Sequence, residues 1–293
     1  MEKGMNSEKN QLTEDWDMVI EPRSSLFSLN LREVWRHGYL LMMFVRRDLV
    51  SVYKQTILGP LWFFIQPLLT TITFTIIFGN IAKISTDGLP QVLFYMSGIT
   101  LWNYFSDCLT NTSNTFTTNA SIFGKVYFPR LVMPLSRAIS GLAKFGVQFL
   151  LFVVFLVYYK MTGSDVHPDI IGILMVTPVV VIILAGLALG LGLILSAMTT
   201  KYRDLFFLIT FGIQLLMYAT PVIYPISSMD AKFRWLIQAN PISWLVEAFR
   251  HVYLGAGELS VPGLAYSFGV MAVILVIGTV VFNRVEKTFM DTV

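Results

Sequence analysis

Six stretches of the chain are long and apolar enough to cross a lipid bilayer, and they constrain its fold more than any other feature. Each holds about 20 mostly apolar residues, the length that a helix needs to span the hydrocarbon layer. They are Leu61–Ile81, Gln91–Leu109, Ile139–Tyr159, Ile170–Met198, Leu205–Tyr224 and Leu264–Phe282. Only 13% of the 293 residues are charged, well below the share in soluble domains. We therefore expect an all-α integral membrane protein with six transmembrane helices.

The distribution of Lys and Arg predicts how these spans are oriented. If the N-terminus lies in the cytosol, fifteen of the 21 basic residues fall in cytoplasmic segments and five fall outside. Lys144 is the remaining one, near the inner end of the third span, where its stem can reach the interface. The first 30 residues are polar and lack the apolar core of a signal peptide. We expect both termini in the cytoplasm, with residues 1–31 as a tail and residues 32–293 as the transmembrane domain.

Several kinds of chemistry have no recognisable motif in this sequence. The phosphate-binding pattern G-x-x-x-x-G-K-[ST] does not occur, so we expect no ATP hydrolysis by this chain. His37, His167 and His251 lie far apart, and Cys108 is the single cysteine, so neither metal-ligand spacing nor a disulfide within the chain is expected. The net charge of +3 is too small to indicate nucleic-acid binding. We predict no catalytic residue, metal or cofactor in this chain.

The segment before the first span, Met42–Leu58, has the pattern of a helix that lies in the membrane interface. On a helical wheel its apolar and polar residues take opposite faces. The apolar face holds Met42, Val45, Leu49, Val52 and Tyr53, and the polar face holds Arg47, Ser51, Lys54 and Gln55. Gly59-Pro60 should end this helix, because proline disfavours helix at the residue before it.

Two interpretations of this interface helix are open. It could be a simple anchor whose cations follow the positive-inside rule. Alternatively, Arg46, Arg47 and Lys54 could bind an anionic head group at the entrance of a pathway.

Two further segments are amphipathic without being long enough to span. The cytoplasmic segment Asn119–Arg137 combines apolar and basic side chains, which indicates either a partner protein or a second helix on the lipid surface. The outer segment Pro225–Ser260 should form two short helices separated at Asn240-Pro241, an N-cap followed by a first-turn proline. Glu247 and Arg250 can pair on the second of these. We interpret this outer pair as re-entrant helices between the fifth and sixth spans that form a cap or gate over a channel.

Glycine and aromatic residues in the spans allow two interpretations each. Gly186 and Gly190 form a small-xxx-small pair that could let another helix pack closely, or they could simply be tolerated in a membrane helix. Aromatic clusters occur at Trp62–Phe64, Trp102–Phe105 and Tyr218–Tyr224. Such rings could stack on sugars in a channel, or could form the belts that anchor helices at membrane interfaces.

Four motifs, taken together and in this order, resemble one known family. They are "RRDLVSVYKQTILGPLWFFIQPL", "IFGKVYFPRLVMPLS", "TTKYRDL" and "TPVIYPIS…NPISWLVEAFR". They are similar to the permease subunit of ABC-2-type polysaccharide exporters, a group that includes O-antigen, capsule and teichoic-acid permeases. The resemblance covers the chain from about Arg32 to its C-terminus.

The resemblance implies a homodimer of six-helix permeases, each bound to a separate ABC ATPase chain that holds ATP and Mg²⁺. The substrate would be a polysaccharide on undecaprenyl diphosphate, most simply O-antigen, exported across the bacterial inner membrane. Two alternatives are an ABC-2 exporter of a small amphiphile or drug, and a polytopic membrane transferase that acts without an ATPase.

The resemblance also suggests roles for particular residues. The lateral entrance for the substrate would be bordered by the interface helix, with Arg46, Arg47, Tyr53 and Lys54. The coupling helix that docks on the ATPase would comprise Ser121, Ile122, Phe123, Gly124, Lys125, Val126, Tyr127, Phe128 and Arg130. The aromatic clusters described above, rather than the resemblance, supply the candidate channel aromatics Trp62, Phe63, Trp102, Tyr104, Tyr218 and Tyr224. The outer gate would include Trp235, Trp244, Glu247 and Arg250.

Overall fold

The protein is all-helical in the part that the structure describes. The structure, a computed structural model, describes residues 31–54, 57–123, 128–202 and 204–289. These contain eleven α-helices and no strand. The helices are α1 (Leu31–Arg36), α2 (Gly38–Tyr53), α3 (Trp62–Phe74), α4 (Gln91–Ser113), α5 (Thr115–Phe123), α6 (Val132–Met161), α7 (Ile170–Lys201), α8 (Leu205–Tyr218), α9 (Ala231–Ala239), α10 (Pro241–Leu254) and α11 (Val261–Phe289).

Four helical segments of the described chain are long and apolar enough to cross a membrane, rather than the six that the sequence predicted. They are Gly59–Ile81, Val132–Met161, Ile170–Lys201 and Val261–Val285. The predicted fifth span, Leu205–Tyr224, is only partly helical: α8 ends at Tyr218 and extends about 21 Å, short of the hydrocarbon thickness. The predicted second span corresponds to α4, which has 23 residues but a more polar sequence.

The position of α4 in the bundle explains why its sequence can be more polar than that of its neighbours. It packs against α3, α6, α7 and α10, and most of its side chains are buried among them. A helix that is enclosed by other helices meets protein rather than lipid, so it can carry hydroxyl and amide groups that find partners there. The main apolar core of the protein therefore surrounds α4.

Glycines bring α7 and α11 into backbone contact. A Cβ atom at Gly190 would lie 2.8 Å from the Leu275 backbone nitrogen, and one at Gly278 would lie well inside 3.0 Å of the Gly190 carbonyl oxygen. Gly186 faces the Met271 side chain of the same partner helix. The prediction that Gly186 and Gly190 permit close helix packing is confirmed, and the partner is α11.

Two predicted breaks between helices are also confirmed. The chain turns at Gly59, whose φ of +47° is unfavourable for a residue with a Cβ, and enters α3 through a short 3₁₀ turn that includes Pro60. The interface helix itself ends earlier than predicted, at Tyr53 rather than at Leu58. Between α9 and α10, the Asn240 side chain accepts a hydrogen bond from the Ile242 backbone N–H at 3.0 Å. By contrast, α7 continues through Pro178 without ending.

A second, smaller core links the helices at the end of the bundle where α2 lies. Its centre is a chain of phenylalanine rings: Phe44 lies 5.7 Å from Phe128, Phe128 lies 5.7 Å from Phe123, and Phe116 stacks on Phe282 at 4.6 Å. Phe116 and Phe123 are themselves 5.7 Å apart. These contacts join α2, α5 and α11 to the segment before α6.

Candidate functional site

The interface helix α2 carries a buried carboxylate that the helical wheel did not identify as important. Asp48 is only 7% exposed and lies between two guanidinium groups, at 2.8 Å from Arg47 and 3.2 Å from Arg137 of α6. The Arg47 guanidinium also lies over the Phe44 ring, 4.8 Å from its centroid. Pairing with Asp48 neutralises part of this positive charge and fixes α2 against α6.

The cations of α2 that remain available to a ligand are Arg46 and Lys54. Both are exposed, whereas Arg47 is engaged with Asp48. Of the predicted apolar face, Val45 is buried against protein, whereas Met42 is 59% exposed and can meet lipid. The side chain of Tyr53 lies outside the described residues.

The predicted coupling segment is described only in part, and its two described phenylalanines face the interior of the protein. Phe123 is 3% and Phe128 5% exposed, and both pack within the second core. The prediction that they offer an apolar surface to a cytosolic partner is therefore wrong for these two rings. Ile122 is partly buried against the same core, and Arg130 lies over the Phe123 ring at 5.7 Å. Residues 124–127 and the Ser121 side chain lie outside the described residues.

The residues predicted as an outer gate divide into a buried pair and a surface group. Arg250 is 1% exposed, and its guanidinium donates hydrogen bonds to the carbonyl oxygens of Pro221 at 2.6 Å and Val222 at 2.9 Å. It also lies over the Phe94 ring of α4 at 3.7 Å. Glu247 pairs with it at 3.7 Å, which confirms that these residues face the same side of α10.

Burial raises the pKa of the Glu247 carboxyl, and the neighbouring Arg250 guanidinium opposes that shift. Because Arg250 contacts Phe94 of α4 and the carbonyl oxygens of Pro221 and Val222, the buried pair joins α10 to α4 and to the segment after α8 rather than forming an exposed gate surface.

The surface group of the predicted gate lines an open groove of about 430 Å³ between α9, α10 and the start of α11. Its aromatic walls are Trp235, Trp244 and Tyr266. The Trp244 indole donates to the Gln238 carbonyl oxygen at 2.9 Å, and the Tyr266 hydroxyl donates to the Ala239 carbonyl oxygen at 2.8 Å. Trp235 is 67% exposed. These hydrogen bonds hold the Trp244 and Tyr266 rings in place, and all three aromatic rings line the groove.

The six predicted channel aromatics fall into two groups. Phe63, Trp102 and Tyr104 are buried within the protomer, so the prediction that they line a channel is not supported at these positions. Trp62 and Tyr218 are 45% and 55% exposed and can face a substrate or a second copy. Tyr224 is partly exposed, and its hydroxyl donates to the Tyr218 carbonyl oxygen at 2.8 Å.

Lys144 of α6, predicted to lie near the inner end of a span, has a charged partner on another helix. Its ammonium group binds the Asp107 carboxylate of α4 at 2.5 Å. Sequence spacing could not reveal this pair, because the two residues are 37 positions apart and on different helices.

Comparison with known proteins places the chain in a transporter family. The model of the ABC-2 type transporter family matches residues 39–254. An O-antigen export system permease protein, RfbA, of Klebsiella pneumoniae is 28% identical over 266 residues, covering 90% of this chain and 99% of the relative. The protein of the same name from Myxococcus xanthus is 26% identical over 266 residues, covering 90% of this chain and 98% of the relative.

A more distant relative carries a different export function in its name. The capsule polysaccharide export inner-membrane protein CtrC of Neisseria meningitidis is 22% identical over 261 residues, covering 85% of this chain and 91% of the relative. The family match covers well over half of the chain and agrees with its long apolar helices. This chain belongs to the ABC-2 type transporter family and is a multi-pass membrane protein.

Proposed function

We propose that this chain is the membrane subunit of an ABC transporter that exports a lipid-linked polysaccharide of the O-antigen kind across the bacterial inner membrane. The observation that carries this proposal is the similarity to O-antigen export permeases over nearly the whole chain. Two copies of the chain would form the transmembrane pathway, with both termini in the cytoplasm.

Energy for export would come from a partner protein. Two ABC ATPase subunits would bind ATP and Mg²⁺ and hydrolyse the nucleotide. They would dock on the segment around α5, through residues 124–127 and Arg130 rather than through the buried rings of Phe123 and Phe128. Because α5, α2 and α11 share the second core, movement of α5 would be passed directly to the helix that lies at the membrane interface.

The substrate would be polysaccharide on undecaprenyl diphosphate, and α2 would receive its head. A diphosphate is attracted to the exposed cations Arg46 and Lys54, and the buried Asp48 holds α2 in place so that these cations keep their position. On the outer side, the exposed Trp235 and the partly exposed Trp244 would stack against sugar rings as the polysaccharide leaves the protein.

Charge reversal on α2 tests the proposed role of its cations. We expect Arg46→Glu with Lys54→Glu to reduce surface polysaccharide at least tenfold while membrane levels of the permease remain unchanged, because the change repels the diphosphate and touches only exposed side chains. Quantitative immunoblotting of the protein and of surface glycan measures both.

Arg284→Glu is the matched control, since Arg284 is an exposed arginine at the end of α11. It should leave export within twofold of wild type. Unchanged export in the Arg46/Lys54 variant would indicate that α2 serves only as a membrane anchor.

A further inference from the structure

Helix α6 carries a stripe of polar residues that the proposed roles of α2 and α5 do not explain. Arg137, Ser140, Lys144 and Gln148 follow one another at intervals of three and four residues, so they lie on one face of the helix. The stripe begins where α2 packs against α6 and ends about 16 Å further along the axis. Since α6 has 30 residues, Gln148 lies close to its middle.

Each of the longer side chains in this stripe meets a polar partner on a different helix. Arg137 pairs with Asp48 of α2 at 3.2 Å, and Lys144 pairs with Asp107 of α4 at 2.5 Å. The Gln148 amide oxygen accepts a hydrogen bond from the Asn103 side chain at 3.3 Å.

Helix α4 continues this pattern with a matching stripe. Asn103, Asp107 and Asn111 are spaced by four residues, and the Asn111 side chain donates to the Asp107 backbone carbonyl oxygen at 2.7 Å. We call the two stripes, together with Asp48 of α2, the polar track. It comprises Asp48, Asn103, Asp107, Asn111, Arg137, Ser140, Lys144 and Gln148.

The exposure of the middle of the track distinguishes it from polar contacts that only hold helices together, although Asp48 and Gln148 themselves are buried. In the Lys144–Asp107 pair, 23% of the lysine side chain and 39% of the aspartate side chain remain exposed, and Asn111 is exposed. A charged pair facing acyl chains at this depth is costly, so such residues normally face water or protein. Elsewhere on the same helix, Leu150 and Val154 are more than half exposed and suit lipid contact. The exposed side of the track is therefore suited to water.

We propose that the polar track is a water-filled cleft along which the phosphate-bearing head of a lipid substrate moves from α2 toward the middle of the membrane. Within the track, Arg137 and Lys144 balance the carboxylates of Asp48 and Asp107. Arg47, which also contacts Asp48, adds one positive charge beside the α2 end of the track, next to those of Arg46 and Lys54. The identity of the head as a lipid diphosphate rests on the proposed function. The accessibility of the track to water does not.

Thiol labelling tests whether the track is wet. Cys108 is the sole cysteine and is buried, so Cys108→Ala gives a background for single thiols. Asn103→Cys and Asn111→Cys place thiols deep in the track and at its shallow end, and Leu150→Cys and Val154→Cys are the lipid-facing controls. In native membranes, a charged, membrane-impermeant methanethiosulfonate should label the track positions at least tenfold faster than the controls.

Protection from labelling tests whether the track holds a phosphate head. Farnesyl diphosphate, used as a short lipid diphosphate, should slow labelling of Asn103→Cys several-fold, and inorganic pyrophosphate should do so less because it lacks the lipid tail. Protection should disappear in Asp107→Asn with Lys144→Gln, which removes both charges but keeps hydrogen-bonding groups. Labelling itself should persist in that variant.

Three results would overturn the inference. Labelling of Asn103→Cys at the rate of Leu150→Cys would place the track against lipid. A disulfide between two copies at position 111 under mild oxidation would show that a second protomer covers it. Rapid labelling without protection by farnesyl diphosphate would leave a wet cleft that does not bind the head. None of these readouts depends on glycan export, so the track and the proposed function can fail separately.

Discussion

Gly278→Leu is expected to prevent accumulation of folded protein in the membrane. Any Cβ at this position would overlap the Gly190 carbonyl oxygen, which belongs to backbone and cannot rotate away. Relief requires α7 and α11 to separate, which would break the contact surface between two of the four apolar candidate spans. Overpacking a core ordinarily costs about 1–3 kcal/mol, and we expect the upper end or beyond here because backbone must move. The effect is measured as the amount of detergent-solubilised protein that is recovered after size-exclusion chromatography.

Gly269→Leu is the matched control on the same helix. A Cβ at Gly269 meets nothing within 4 Å, so the added side chain projects into open space. We expect this variant to accumulate at close to wild-type levels. If both variants accumulated normally, the tight crossing of α7 and α11 would be disproved.

Arg250→Met is expected to cause the second large loss of stability. The substitution leaves Glu247 buried without its cation and removes the donors to the Pro221 and Val222 carbonyl oxygens. Breaking a buried ion pair from one side costs about 3–5 kcal/mol. We expect a marked fall in the thermal unfolding midpoint of the purified protein in detergent. The intrinsic fluorescence of the protein, recorded during heating, measures this midpoint.

Two comparisons isolate the cause of that loss. Arg234→Met, an exposed change on α9, should shift stability by no more than about 0.5 kcal/mol. Adding Glu247→Gln to Arg250→Met should restore part of the loss, since it removes the stranded charge. An unchanged midpoint in Arg250→Met would show that the guanidinium is not an essential link between α10 and α4.

Local sequence patterns predicted several features of the fold correctly. The Gly186/Gly190 spacing indicated a close helix contact, Asn240-Pro241 indicated the start of α10, and Gly59-Pro60 indicated the break before α3. Each of these depends on residues within a few positions of one another. The physical cause, whether a missing Cβ, a side-chain cap or a fixed φ, is therefore readable from the chain itself.

The features that sequence patterns missed depend on contacts between distant residues. Hydropathy predicted α4 as a membrane span but could not show that its neighbours enclose it. A helical wheel of α2 could not show that Asp48 meets Arg137 of α6. The local pattern of the predicted coupling segment likewise could not show that Phe123 and Phe128 pack in the second core. Arginine is usually a surface residue, but Arg250 lies in the interior because the carbonyl oxygens of Pro221 and Val222 accept hydrogen bonds from its guanidinium group.

The location of lipid-linked glycan in cells that lack this protein tests the proposed function most directly. The gene is deleted, undecaprenyl-linked polysaccharide is extracted from the cytosolic leaflet using inside-out vesicles, and surface polysaccharide is measured on intact cells. If the chain exports polysaccharide, full-length lipid-linked polysaccharide accumulates on the cytosolic side while the surface polymer disappears. Unchanged glycan in both places would contradict polysaccharide export and favour a small amphiphile as the substrate, and complete absence of the polymer would indicate a transferase.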